Sequence, residues 1–168
     1  MKTITKASIY LPMAAMLLAL ALAGPSTAAA QVPFSGTVQG HEKDDIQGNP
    51  PQKILIDGSL TGVAIQFGLI TITYKGTVNL NSPVGGTASG QLTTANGDII
   101  STAIVGAGQP VPGSPTLNTI VEIHAITGGT GQFAGATGIF VLKRLIDLAT
   151  GQTSGSFRGT ITSKHIEN

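Results

Sequence analysis

The chain has no cysteine, which excludes a disulfide framework, thiolate zinc sites, iron–sulfur clusters, thiol nucleophiles and a lipid-bearing cysteine behind a leader. Tryptophan is also missing, and the aromatic residues are five phenylalanines and two tyrosines among 168. That leaves few platforms for stacking on bases or sugars. Charged residues make up only 10%, and no basic cluster marks a surface for nucleic acid or anionic membrane. No Gly-x-Ser-x-Gly elbow occurs, so hydrolase-type serine chemistry has no scaffold here. After Gln31 no helical periodicity is sustained beyond two turns.

What is present begins with an address. Lys2 and Lys6 precede an apolar run from Ile9 to Ala23, then Gly24-Pro25 and a small-residue tail ending in Ala28-Ala29-Ala30. These are the three regions of a secretory signal peptide, cleaved after about Ala30. The apolar run is shorter than the ~20 residues of a membrane span. Residues 1–30 are therefore read as a signal and 31–168 as one secreted or periplasmic domain. Without Lys2 and Lys6, seven basic residues face eight acidic ones, so the mature chain is close to neutral. Its stability must come from packing and hydrogen bonds.

Threonine, β-branched residues and glycine recur between closely spaced turn signals, the pattern of an antiparallel all-β domain. Eight strands are expected: Phe34 to Glu42, Lys53 to Val63, Gln66 to Leu80, Gly85 to Ala95, Ile99 to Gly106, Leu117 to Thr127, Thr137 to Ala149 and Thr153 to Thr162. The third alternates most cleanly, with Ile70, Ile72, Tyr74, Gly76 and Val78 on one face and Thr71, Thr73, Lys75 and Thr77 on the other. One face is packed and the other wet. Asn96-Gly97 predicts a type I′ hairpin turn between the fourth and fifth strands. The stretches Asp44 to Gln52 and Gly106 to Pro115, both rich in proline, are expected as loops. Phe34-Ser35-Gly36-Thr37 is echoed by Phe157-Arg158-Gly159-Thr160, and pairing of those strands would close the sheet and leave no edge.

The segment Ile126 to Phe140 holds five glycines, Gly128, Gly129, Gly131, Gly135 and Gly138, around Phe133. Glycine at that density marks positive φ or close approach of backbone. A phosphate loop is the competing interpretation, but no Lys-Ser/Thr follows and the flanks are antiparallel strands. The segment reads instead as a structural corner, with a short helical turn at Gln132 to Ala136 and Phe133 pointing inward.

Gly128-Gly129-Thr130-Gly131-x-Phe133-Ala134-Gly135-Ala136-x-Gly138, together with Ala95-Asn96-Gly97-Asp98 and the strand ending Asp147-Leu148-Ala149-Thr150-Gly151, resembles the allene oxide cyclase and dirigent barrels. The match covers roughly the last 75 residues, and the first half agrees in strand pattern. The resemblance implies an eight-stranded antiparallel β-barrel and a small secreted bacterial member of the family. It further implies either a lumen that folds a fatty-acid epoxide for ring closure beside a carboxylate and a water, or a barrel that steers coupling without chemistry of its own. Trimers would follow from the same resemblance. No motif carries the catalytic carboxylate of the cyclases onto this chain.

Candidate chemistry is sparse. Glu122 and His124 lie two apart on one strand and share a face with Ile120 and Ile126, so they could act as an acid–base pair or as metal ligands. The plainer reading makes them an outward-facing polar pair or a satisfied cross-strand contact, with Val121, Ile123 and Ala125 as the better core stripe. Glu42 is the nearest candidate by position for a lumen carboxylate, and Glu122 by its placement within a strand. His41, Glu42, Lys43, Asp44 and Asp45 form the densest charged cluster, but they lack the ligand spacing of a known metal site and read as a solvated loop. His165 falls near the chain end and is assigned no role. Tyr74 could position a ligand if its face lines the lumen, or pack with a hydrogen-bonded tip.

No metal or cofactor is expected. An outer-membrane barrel is argued against by the lack of aromatics for interfacial girdles. The expectation is a barrel that binds a small hydrophobic ligand or serves as a non-catalytic accessory. A cyclase or isomerase acting on a hydrophobic substrate is the alternative, and a self-associating structural barrel is the third reading.

Overall fold

A computed structural model describes residues 31–81 and 85–163. The signal-peptide reading of residues 1–30, and His165, lie outside the described residues.

Eight strands run in order: β1 (Gln31–Gln47), β2 (Lys53–Ala64), β3 (Gly68–Asn79), β4 (Gly86–Thr94), β5 (Ile99–Pro110), β6 (Leu117–Gly129), β7 (Thr137–Asp147) and β8 (Gln152–Thr162). Each pairs antiparallel with its sequence neighbour, and β8 returns to β1 to close the barrel. The closing register sets Phe34 opposite Gly159 and Gly36 opposite Phe157, the two halves of the sequence echo. A side chain at Gly36 would collide with the Phe157 ring, so Phe157 lies over the glycine of β1, whereas Gly159 makes room for Phe140. No helix among the described residues is long and apolar enough to cross a membrane.

Two of the expected loops are shorter than the sequence suggested. β1 continues through Asp44 and Asp45, which pair with Ile56 and Leu55, and β5 continues to Pro110 opposite Asn118. Ladder hydrogen bonds across the neighbouring strand outweigh local polarity there, and the chain turns only at 48–52 and 111–116.

The Asn96-Gly97 hairpin forms, but in a different conformation. Within this turn only Gly97 has positive φ, at 88°, and among the described residues no non-glycine residue does, which rules out type I′. Gly97 N–H donates to the Thr94 carbonyl and Thr94 N–H to the Asp98 carbonyl, the pattern of a type I turn closed by a glycine bulge. Asn96 accepts from the Thr94 hydroxyl and from Asp98 N–H, and these bonds favour the right-handed conformation over φ > 0.

That hairpin docks the glycine-rich corner. The Asp98 carboxylate accepts from Gln132 N–H at 3.2 Å and from the Asn96 amide at 3.0 Å. Gly131, at φ 54°, brings its Cα against the same carboxylate, and a Cβ there would overlap the Asp98 oxygens. The helical turn is a single 3₁₀ turn at Gly131–Phe133, shorter than the expected Gln132 to Ala136. Phe133 is fully buried.

The strands' inward positions divide the lumen along its axis. At the end that carries Gln31, Thr162 and the β2–β3, β4–β5 and β6–β7 turns, Phe34 packs against Phe67, Phe140 and Phe157, and Phe67 packs against Phe133, with centroids 5.1–5.7 Å apart. Leu60, Ile72, Leu92, Ile100, Leu142 and Ile161 fill the space between. Edge-on and tilted aromatic contacts at these distances pack as tightly as protein interiors do, so this end is sealed.

Candidate functional site

Toward the other end the inward positions change character. On β1, β3, β6, β7 and β8 they are Glu42, Tyr74, Glu122, Arg144 and Thr153, all buried. Glu42 and Tyr74 both register with Gly58, whose missing side chain leaves room for the tyrosine ring. Glu122 registers with Gly106 and Leu142, and Arg144 with Ile120 and Gly155. Small residues on the flanking strands thus give the large polar side chains their volume.

Arg144 is the hub. Its Nη2 donates to Glu42 Oε2 at 2.6 Å and to Glu122 Oε1 at 2.8 Å, Nε donates to Glu122 Oε2 at 3.3 Å, and Nη1 donates to Thr153 Oγ1 at 3.3 Å. The Tyr74 hydroxyl donates to Glu42 Oε2 at 2.5 Å, and the guanidinium carbon lies 5.4 Å from the Tyr74 ring centroid. One layer deeper, His124 stacks on Phe140 with centroids 4.3 Å apart. Its Nδ1 is 3.4 Å from the Thr102 hydroxyl. Its Nε2 has no hydrogen-bond partner among the described residues and lies 3.7 Å from Glu122 Oε2.

The surroundings set the protonation of Glu122, Tyr74 and Arg144. Burial works to raise the Glu122 pKa, but the facing His124 and Arg144 outweigh it and hold the carboxyl below its ordinary range, so Glu122 is ionised at neutral pH. Burial, with Glu42 and Glu122 alongside, pushes the Tyr74 phenol well above its ordinary value against the opposing pull of Arg144. Tyr74 therefore acts as a donor. Burial works against the Arg144 cation, but Glu122, Tyr74 and Glu42 raise its pKa overall. Asp44, two residues along β1 on the same face, is raised by burial first and then by Glu42.

Above this layer the lumen opens. Burial falls off on β2 to β6 at a similar level: Ile56 and Ile54 on β2, Gly76 and Val78 on β3, Ala88 and Gly86 on β4, Gly106 on β5 and Ile120 on β6 are half-buried, whereas the inward residues below them are buried; on β7 Ile146, above Arg144, stays buried. The charged hub is the floor of an apolar-walled mouth.

Two expectations are corrected. Glu122 and His124 do not form an outward pair, because both face the lumen and are buried. Val121 and Ile123, expected as the core stripe, face solvent at 41% and 42% exposure. Both faces of β6 are apolar enough to serve as a core, and closure of the barrel decided between them. The His41 to Asp45 cluster is likewise no solvated loop. It lies on β1, where alternation sends Glu42 inward and exposes His41 and Lys43. His41 Nε2 lies 3.0 Å from the Thr150 carbonyl. Among the described residues no three histidine or carboxylate side chains converge as a metal site.

Sequence reasoning missed Arg144, Thr102 and Thr153. For Arg144 a signal existed: Phe140, Leu142, Arg144 and Ile146 alternate at period two, which puts an arginine in an apolar register.

The closed eight-stranded antiparallel barrel is the fold of the dirigent proteins. The solved structure of the pterocarpan synthase dirigent protein GePTS1 is similar to this chain at 14% sequence identity and a TM-score of 0.53, covering 94% of this chain and 100% of that one. At that identity the likeness is one of fold. No protein-family model and no curated protein matches the chain.

Proposed function

We propose that this chain is an exported binding barrel whose open mouth holds a small, largely apolar molecule with one hydrogen-bonding group turned toward the Glu42–Tyr74–Glu122–Arg144 floor. The carrying observation is that the buried polar layer lies directly beneath half-buried, mostly apolar inward residues on β2 to β6. Such a site, mostly hydrophobic with a few convergent polar groups, is the usual form of a small-molecule pocket.

The hub also suggests which polar group fits. Four of the five Arg144 N–H donors are already committed, and two carboxylates with Asp44 above them surround it. A carboxylic acid would meet like charge and no free cation. A neutral hydroxyl can donate to Glu42 or Glu122, so an apolar alcohol or phenol suits the floor better than a fatty acid.

Native mass spectrometry with medium-chain alcohols and acids of equal length tests this reading. The alcohols are expected to bind at least tenfold more tightly, and Ile56→Trp, which fills the mouth, is expected to abolish binding without lowering the melting temperature. If neither class binds the wild type, the binding reading fails.

A second reading, an isomerase acting on a hydrophobic substrate, draws on the ionised Glu122 and protonated Tyr74 within the lumen, a base and a donor in one site. Turnover of a bound ligand that disappears in Glu122→Gln while binding persists would favour it.

A further inference from the structure

We propose that the barrel's plugged base rests on a lipid bilayer surface, with the β2–β3 hairpin as the element that enters it. Among the described residues Ile65 and Leu69 are the most exposed large hydrophobic side chains, at 77% and 67%, and Val63 is 49% exposed. Val63 and Leu69 are register partners that alternate with buried Ala64 and Ile70, and Ile65 stands in the turn between them. Single exposed hydrophobics are ordinary on a protein surface, but three on one hairpin form a tip. That tip is held out by hydrogen bonds. Ile65 N–H donates to the Ser35 carbonyl at 2.8 Å, Ser35 N–H donates to Gln66 Oε1 at 3.1 Å, and Phe67 N–H closes the turn on the Ala64 carbonyl at 3.2 Å. Phe67 turns inward onto Phe34 and Phe133, so one apolar side chain anchors the hairpin and three are displayed.

The rest of this end suits the same surface. Its other two turns, 95–98 and 130–136, contain one charged residue, Asp98, whose carboxylate already accepts from the Asn96 amide and Gln132 N–H. Little charge has to be desolvated when these turns meet headgroups. Gln31 opens β1 at this end, so the thirty residues before it, with their apolar run from Ile9 to Ala23, join the barrel where the tip projects. A segment of that kind directs a chain to a membrane, and its attachment puts the base, not the mouth, on the membrane side. A protein partner fits less well. A stable protein interface engages about 20–30 residues a side, and the tip offers three. An interfacial anchor requires less, because an apolar element enters only about 5–10 Å into the headgroup boundary. The barrel lies on the bilayer and does not span it, since a spanning barrel needs an apolar band all round, and exposed Lys43, Asp45, Asp57 and Lys75 interrupt one on β1 to β3. This orientation leaves the mouth free, and it holds whether or not the mouth binds a ligand.

The chain has no tryptophan, so one introduced indole reports the contact. Phosphatidylcholine vesicles are expected to shift the emission of Ile65→Trp to the blue and to leave that of Leu148→Trp, in the β7–β8 turn at the mouth, unmoved. The wild type is expected to co-sediment with the same vesicles. Ile65→Ser combined with Leu69→Ser is expected to lower the bound fraction by about tenfold or more, with an unchanged circular dichroism spectrum. Should that pair fail to fold, Ile65→Thr alone is expected to weaken binding in the same direction. A wild type that stays in the supernatant, a folded tip variant that binds as the wild type does, or an equal blue shift in Leu148→Trp would each overturn the proposal. So would a blue shift of Ile65→Trp that grows with protein concentration in the absence of vesicles, which would assign the tip to a second copy.

Discussion

The two halves of the lumen are built on the same strands by opposite means. At the sealed end five phenylalanines and the aliphatic residues among them exclude water and each other's motion, and burying such side chains is favourable by roughly 1.5–3 kcal/mol each. At the open end Arg144, Glu42 and Glu122 give up hydration and recover it only through mutual hydrogen bonds, an exchange that often yields no net stability. A fold in need of stability alone would continue the phenylalanines upward. The charged half is therefore where function is expected, and the sealed half is what makes it affordable.

The contrast breaks most sharply at its two hubs. Phe34→Ala removes a ring that touches Phe67, Phe140 and Phe157, and is expected to cost about 3–5 kcal/mol in urea unfolding, nearly independent of pH between 5 and 8. Arg144→Met is expected to cost a similar ~3–5 kcal/mol at neutral pH, because two buried carboxylates lose their counter-charge. Its cost should shrink as acid protonates Glu122. Replacing the whole hub at once, E42L/E122L/R144M with Y74F, is expected to leave stability unchanged or raised by about 1–4 kcal/mol while abolishing ligand binding. If that combination unfolds the barrel instead, the charged half is structural and the comparison fails.

Smaller effects sharpen it. The folded-state pKa of Glu122 is depressed below its ordinary 4.5, so the stability it contributes is complete above that value and is lost as pH falls through the lower folded-state value. Unfolding followed by fluorescence of bound dye should show an acid limb that Glu122→Gln removes. Tyr74→Phe deletes a hydrogen bond to a charged acceptor and is expected to cost ~1.5–3 kcal/mol, with a larger effect on ligand affinity than on fold. On the exposed wall the Lys75–Asp57 pair at 2.8 Å is solvated on both sides, and Lys75→Ala is expected to leave the unfolding midpoint unmoved.

Much of the architecture was legible because it depends on local chemistry. Alternation and turn residues located each strand, and the Phe-x-Gly echo foretold which strands close the barrel. The Gly128 to Gly138 segment announced its corner for the reason expected: Gly128, Gly131, Gly135 and Gly138 have positive φ, and Gly129 lies against Phe133. What failed depended on contacts distant in sequence. The face of β6 was misread because Val121 and Ile123 are more hydrophobic than Glu122 and His124, and the partners that make the acidic face buriable, Arg144 and Thr102, lie about twenty residues away on neighbouring strands. Glu42 and Tyr74 were visible as individuals, but no local pattern reveals that one guanidinium and one phenol meet on the same carboxylate oxygen.

The pairing of β1 with β8 sets Gln31 directly across from Thr162, at the end plugged by Phe34 and Phe133. Anything joined to either end of the barrel therefore emerges from its plugged base, and a tether there holds the molecule with its mouth facing away. Tags and fusions at both termini should leave binding untouched. The ends can also be joined by a short linker and the chain reopened at the exposed turn around Gly113, giving a permuted barrel with the same floor.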